Sequence, residues 1–168
     1  MSAANHPPET VQPEIVRIEL ADLDATRRLA ERLAGLLRVG DFVALGGVLG
    51  AGKTTIARYI IEALAGHEME VPSPSFSLVQ PYDFDGLTTF TLWHFDLFRI
   101  ETPEAVYELG FEDALADGVS LVEWPERLGP LLPAERLDLV LRQGAMPDAR
   151  IASLEAHGNW RGRLAEIK

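Results

Sequence analysis

Gly47-Val48-Leu49-Gly50-Ala51-Gly52-Lys53-Thr54 spells G-x-x-x-x-G-K-T, the pattern of a phosphate-binding loop. The residues on either side supply its context. Asp41 to Gly46 form a short apolar run that reads as a buried strand. Ile56, Ile60 and Leu64, flanked by Ala57 and Ile61, then recur at helical spacing until Gly66. Strand, glycine-rich turn and helix are the arrangement such a loop requires. The glycines let successive backbone N–H groups curl around phosphate oxygens, and the following helix adds its unpaired N–H groups and the positive end of its dipole. Lys53 places a point charge at the β- and γ-phosphates, and the Thr54 hydroxyl is a ligand for Mg²⁺. The pattern predicts a site for a nucleoside triphosphate.

The bulk properties narrow the setting. A chain of 168 residues suits one domain with a sizeable core, and 47% hydrophobic with 24% charged residues is ordinary for a globular protein. No apolar run approaches the ~20 residues that span a bilayer, so no membrane association is expected. Residues 1–13 are polar with three prolines and read as a disordered tail, leaving 14–168 as the folded domain. The absence of cysteine excludes disulfides and thiolate zinc sites and agrees with a cytoplasmic protein. A net charge of −11 argues against broad contact with a nucleic-acid backbone, which needs clustered Lys and Arg.

Outward from the loop, Glu14 to Leu20 alternates polar and apolar residues as a strand does, and Asp22 or Asp24 can cap a helix running through Leu37. Further strands are expected at Ser75–Val79, Thr88–Trp93, Val119–Val122, Leu137–Leu141 and Arg150–Glu155, with a turn over Pro81–Gly86. Short helices are expected at Pro103–Leu109 and Glu112–Ala116, and a terminal helix at Asn159–Lys168. This order predicts an α/β domain of the P-loop NTPase type: a mixed, largely parallel sheet with helices on both faces. Ligands in such sheets sit beyond the carboxyl ends of the strands. The loop, the His94–Asp96 segment and Glu123 all fall at that edge.

A Mg-nucleotide site also needs an acid at the end of a strand beside the loop strand. Leu121-Val122-Glu123, halted by Trp124-Pro125, fits that need, which makes Glu123 a metal-shell residue. Asp96 is the second candidate, for the outer shell of the metal or for positioning the attacking water. Its competing role is a helix cap or a partner of Arg99. His94 reads as a hydrogen-bonded structural histidine, because phosphoryl transfer leaves little proton chemistry for a base. Ser73, Ser75 and Ser77 can sense a γ-phosphate from a mobile loop or merely cap a rigid one. Trp124 reads as packing.

Four segments occur in one order: Gly-Val-Leu-Gly-Ala-Gly-Lys-Thr-Thr (47–55), Ser-Pro-Ser-Phe-Ser-Leu-Val (73–79), His-Phe-Asp-Leu-Phe-Arg (94–99) and Leu-Val-Glu-Trp-Pro-Glu (121–126). Together they resemble the TsaE (YjeE) family, the bacterial ATPases of tRNA threonylcarbamoyladenosine biosynthesis, over roughly Ile15 to Leu154. The resemblance implies slow hydrolysis of ATP with Mg²⁺. It also implies action with the TsaB–TsaD pair, which transfers a threonylcarbamoyl group made by TsaC to an adenosine beside the anticodon; tRNA is then reached indirectly. By motif match, Thr54 and Glu123 are the magnesium residues. Gly50, Ala51, Gly52, Lys53, Thr54 and Thr55 form the phosphate cradle, Asp96 is needed for hydrolysis alongside Lys53 and Glu123, and Thr26 falls near the nucleotide. Three positions depart from the family pattern: Val48 stands where an Asp is usual, Ser75 replaces Thr, and Phe98 replaces Tyr.

Other classes fit less well. A small-molecule kinase needs an arginine-rich lid, whereas the arginines after residue 80 are scattered (Arg99, Arg127, Arg136, Arg142, Arg150, Arg161, Arg163). A regulatory GTPase needs an N-K-x-D segment, and neither Asn5 nor Asn159 begins one. The Asp83-Phe84-Asp85-Gly86 match to D-x-x-G sits in a turn before a strand, away from a γ-phosphate. A module that binds nucleotide without turning it over is the third class, which Val48 keeps open.

Overall fold

The computed structural model describes residues 13–167, so all of the expected tail except Pro13 lies outside the described residues. Seven strands form one sheet: β1 (Glu14–Leu20), β2 (Phe42–Gly46), β3 (Val79–Tyr82), β4 (Leu92–Asp96), β5 (Val119–Glu123), β6 (Arg136–Gln143) and β7 (Arg150–His157). Their spatial order is β1-β7-β6-β2-β5-β4-β3. The four central strands β6, β2, β5 and β4 are mutually parallel, and β7 and β3 are the antiparallel ones. This is the mixed, largely parallel sheet that the element order predicts. Among the described residues no helix is long and apolar enough to cross a membrane.

The alternation of side chains along each strand decides what covers each face. Val43 and Leu45 of β2, with Leu121 of β5 and Leu139 of β6, join one core with helices α1 (Leu23–Leu36) and α2 (Lys53–Ala65). Phe42 and Ala44, with Phe95 and Val122, join a second core on the opposite face. There they meet α3 (Phe111–Asp117) and two 3₁₀ segments, Pro103–Leu109 and Pro125–Leu131. Asp22 caps α1, its Oδ1 accepting from the Ala25 N–H at 2.7 Å, and Gly66 ends α2, its N–H donating to the Glu62 carbonyl. Among the described residues the buried core under the second helical layer takes its strand residues from β2, β5 and β4; on that face Ile15 of β1 is half exposed.

Four expectations are corrected. The strand expected over Ser75–Val79 is absent as far as Leu78: the Leu78 N–H donates to the Pro74 carbonyl at 2.8 Å and Leu78 takes φ +66°, so the segment turns. The strand starts at Val79 and runs through residues expected as a turn. Its position at the sheet edge tolerates Pro81, which has no N–H to give a second neighbour. Thr88–Thr91 also lies outside the ladder, so β4 begins at Leu92 and His94 falls in mid-strand rather than at its end. In place of a terminal helix, the chain makes two short 3₁₀ turns, Gly158–Trp160 and Arg163–Glu166, separated at Gly162, whose φ is +80°. Trp160, Leu164 and Ile167 are fully buried by these turns.

The terminal turns are fastened by charge. The Arg163 guanidinium donates to both oxygens of Asp41, at 2.9 and 2.7 Å, and also to the Leu36 carbonyl, while lying 3.8 Å over the Trp160 ring. Both partners are buried (7% and 2% exposed), so removing one leaves the other desolvated and unpaired. Arg163→Ala is expected to lower the unfolding free energy by about 3 kcal/mol in urea denaturation. Glu68→Ala, which breaks a 3.6 Å pair whose acid is 85% exposed, is expected to leave the midpoint unchanged.

Candidate functional site

The loop between β2 and α2 closes against the sheet without room for a side chain at its first residue. Gly47 has φ +133°, and a Cβ there would lie 2.6 Å from the Leu141 carbonyl oxygen and 2.9 Å from the Ala51 Cβ. Gly50 and Gly52 also have positive φ (+78° and +106°), which turns the loop back on itself before α2 begins at Lys53. A helix N-terminus with no side-chain cap follows directly, and its free N–H groups face the loop. The cavity in front holds about 280 Å³ and is lined by loop residues, Ser73, Ser75, Asp96, Glu123, Trp124 and Arg150.

The acids arrive through strand register. β5 runs parallel beside β2 with Glu123 opposite Leu45, and β4 runs parallel beside β5 with Asp96 opposite Glu123. Both carboxylates therefore reach the same edge as the loop, on the face that carries α2. Glu123 is 2% exposed, and its Oε1 accepts the Thr54 hydroxyl proton at 2.7 Å. Asp96 is 7% exposed; its Oδ2 accepts from Ser73 Oγ at 3.2 Å and its Oδ1 from the Phe98 N–H at 3.1 Å. Ser73 and Ser75 share a 2.8 Å hydrogen bond at the rim, whereas Ser77 is not among the lining residues.

Lys53 is 5% exposed, and its ammonium donates to the carbonyls of Gly47 (2.6 Å) and Val48 (2.9 Å). Burial lowers its pKa, opposed by attraction from Glu123, Glu126 and Asp96. The Trp124 ring lies 4.0 Å from the ammonium and packs at 4.9 Å against Phe98. Trp124 reaches that position by taking φ +58° directly after β5, a conformation that is costly for a bulky side chain.

Most of the residues expected at the site converge there. Gly50, Gly52, Lys53, Thr54, Thr55, Asp96 and Glu123 line the cavity. Ala51 is buried behind it with its carbonyl held at 2.8 Å by Arg150 Nε. Thr26 is not a lining residue; it is buried in the first turn of α1, its hydroxyl 3.3 Å from the Asp22 carbonyl. Two contributors have no signal in the sequence. Arg150 reads there as one of several scattered arginines, yet it braces the loop from the start of β7, 99 positions away. Trp124 reads as packing but covers the Lys53 ammonium. Val48 is 75% exposed and contributes its carbonyl to Lys53, so its side chain stays off the cavity.

The donor set fits a hard divalent cation. Thr54 and Glu123 offer a hydroxyl and a carboxylate at one point, with the Asp96 carboxylate opposite Glu123 in the sheet, and hard cations take oxygen ligands of this kind. The adjacent loop N–H groups and Lys53 suit the anionic partner of such a cation.

Comparison with known proteins identifies the family and the fold. The family model "Threonylcarbamoyl adenosine biosynthesis protein TsaE" matches residues 20–151. The tRNA threonylcarbamoyladenosine biosynthesis protein TsaE of Rickettsia felis is 42% identical over 118 residues, covering 70% of this chain and 67% of that protein. The protein of the same name from Bacillus subtilis is 35% identical over 144 residues, 85% of this chain and 87% of its own. The crystal structure of Bacillus subtilis YdiB superposes with a TM-score of 0.76 and 28% identity, covering 94% of this chain and 95% of that one.

The loop geometry separates its glycines. Gly47→Ala brings a Cβ against a backbone carbonyl in a strained φ region, and is expected to cost about 2 kcal/mol or more of unfolding free energy in urea denaturation. Gly50→Ala meets nothing within 4 Å and is expected to cost about 1 kcal/mol from φ alone. Equal costs at the two positions would contradict the packing of Gly47 on β6.

Proposed function

The chain belongs to the TsaE family, and from that premise we propose that it is an ATPase serving threonylcarbamoyladenosine formation in tRNA. In this reading it binds Mg-ATP at the phosphate loop and hydrolyses it slowly, in association with a TsaB–TsaD pair, in the cytoplasm. The observation that carries the reading is the 2.7 Å contact between Thr54 Oγ1 and Glu123 Oε1 at the foot of the loop. A hydroxyl from the helix start and an acid from the neighbouring strand are the two protein groups that P-loop NTPases use for magnesium.

The roles follow from position. The loop backbone grips the phosphates, and Lys53, held on its own loop carbonyls, has its ammonium available for the β- and γ-oxygens. Thr54 and Glu123 would hold Mg²⁺, which when bound neutralises charge developing on the phosphate oxygens. Asp96 is the acceptor for the attacking water. Its carboxylate is fixed by Ser73 and the Phe98 N–H, so it presents a set direction to a hydrogen-bond donor. The first turn of α1 lies at the same sheet edge as the loop, because β1 points the same way as β2. Thr26 is assigned near the nucleotide by the family pattern, although it is buried and does not line the cavity. A net charge of −11 supports contact with tRNA through protein partners rather than directly.

The test is an ATPase assay with and without purified TsaB–TsaD, coupled to detection of the modified nucleoside. Slow hydrolysis alone, turnover in step with nucleoside formation in the mixture, and a loss of at least about 100-fold in Lys53→Ala are the expected results. Hydrolysis undetectable even with the partners, or a phosphorylated small molecule appearing with ADP, would contradict the reading.

A further inference from the structure

His94 is fully buried in the middle of β4. Its Nε2 lies 3.0 Å from Glu123 Oε2, and its Nδ1 is buried with no hydrogen-bond partner among the described residues. Of the two neutral tautomers, only one suits this geometry. With the proton on Nε2, the ring donates to the carboxylate and Nδ1 is a bare acceptor. With the proton on Nδ1, a buried N–H is orphaned and two lone pairs face each other across 3.0 Å. The ring therefore points an N–H at Glu123.

That bond settles the orientation of the acid. Among the described residues Glu123 makes two side-chain hydrogen bonds, one per oxygen: Oε2 to His94 and Oε1 to Thr54. Glu123 has three side-chain torsions and ends its strand, so a single contact through Oε1 would leave the carboxylate free to swing about that oxygen. His94 removes this freedom from a rigid, central strand. The register places it there: β4 sets Asp96 beside Glu123 and His94 beside Leu121, so the ring reaches diagonally to the acid from two residues before Asp96. His94 does not line the cavity.

We propose that His94 is a positioning residue for the divalent cation, acting through Glu123 and touching neither cation nor nucleotide. The proposal rests on the Mg-nucleotide reading of the site. Hydrogen-bond partners behind metal ligands are typically worth about 10–100-fold in metal affinity. A core histidine that merely fills space would leave metal affinity unchanged.

The test is calorimetric binding of the non-hydrolysable ATP analogue AMPPNP to the full chain, in Mg²⁺ and in EDTA. In the parent protein Mg²⁺ tightens binding. In His94→Leu this tightening shrinks by about 10-fold or more, while affinity in EDTA stays within about twofold. His94→Gln, whose amide N–H can take the place of Nε2–H, regains most of the Mg²⁺ effect. A full Mg²⁺ effect in His94→Leu overturns the proposal. Should His94→Leu fail to fold by far-UV circular dichroism, His94→Gln is compared with His94→Asn, whose shorter amide falls away from Glu123; equal Mg²⁺ effects in these two overturn it as well. No Mg²⁺ effect in the parent protein removes the Mg-nucleotide reading itself, an outcome distinct from its loss in the variants alone.

Discussion

The parallel register of β2, β5 and β4 is the constraint from which the rest of the site follows. Each strand ends at the same edge, so Leu45, Glu123 and Asp96 lie side by side, and the loop leaving β2 starts α2 directly over the two acids. A slip of one residue in β5 would turn Glu123 to the opposite face and bring Val122 toward α2. The hydrophobic pattern forbids that slip, because Leu121 and Val122 belong to different cores. The packing that stabilises the sheet is thus the same packing that aims the carboxylates.

Burying Lys53, Asp96 and Glu123 together is costly unless each has partners. The network supplies them. Lys53 has two loop carbonyls and an indole face, Glu123 has Thr54 and His94, and Asp96 has Ser73 and a backbone N–H. These groups do not contact solvent freely, so their strength is that of a low-dielectric site rather than of a surface. The cradle itself is made of backbone, braced by Arg150 on the Ala51 carbonyl. This explains why a valine at position 48 is compatible with the loop: its side chain points to solvent and its carbonyl does the work.

Much of this was legible in the amino-acid order. The loop, its strand and its helix announce themselves by spacing, and Glu123 by its place after Leu121-Val122. Asp96 is found by its position near a strand end. Other features depend on long-range geometry that spacing does not encode. The Ser75–Ser77 turn mimics a strand in composition, and only the reversal at Leu78 and the bond from Asp96 N–H to its carbonyl reveal the turn. The terminal segment has helical spacing of Trp160, Leu164 and Ile167, but Gly162 splits it and Arg163 is drawn to Asp41 instead. Arg150 becomes visible only once β7 is placed in the sheet, and His94, legible as a hydrogen-bonded histidine, gains its partner Glu123 only once β4 lies beside β5.

The central proposition is that Thr54 and Glu123 act as one unit in holding the cation. A double-mutant cycle on Mg²⁺-dependent AMPPNP binding measures this directly, using Thr54→Ala, Glu123→Ala and the pair. Strong non-additivity is predicted: either single change removes most of the Mg²⁺ effect and the second adds little, a coupling of about 1 kcal/mol or more. Losses that simply add, to within about 0.5 kcal/mol, would contradict a shared cation at the foot of the loop.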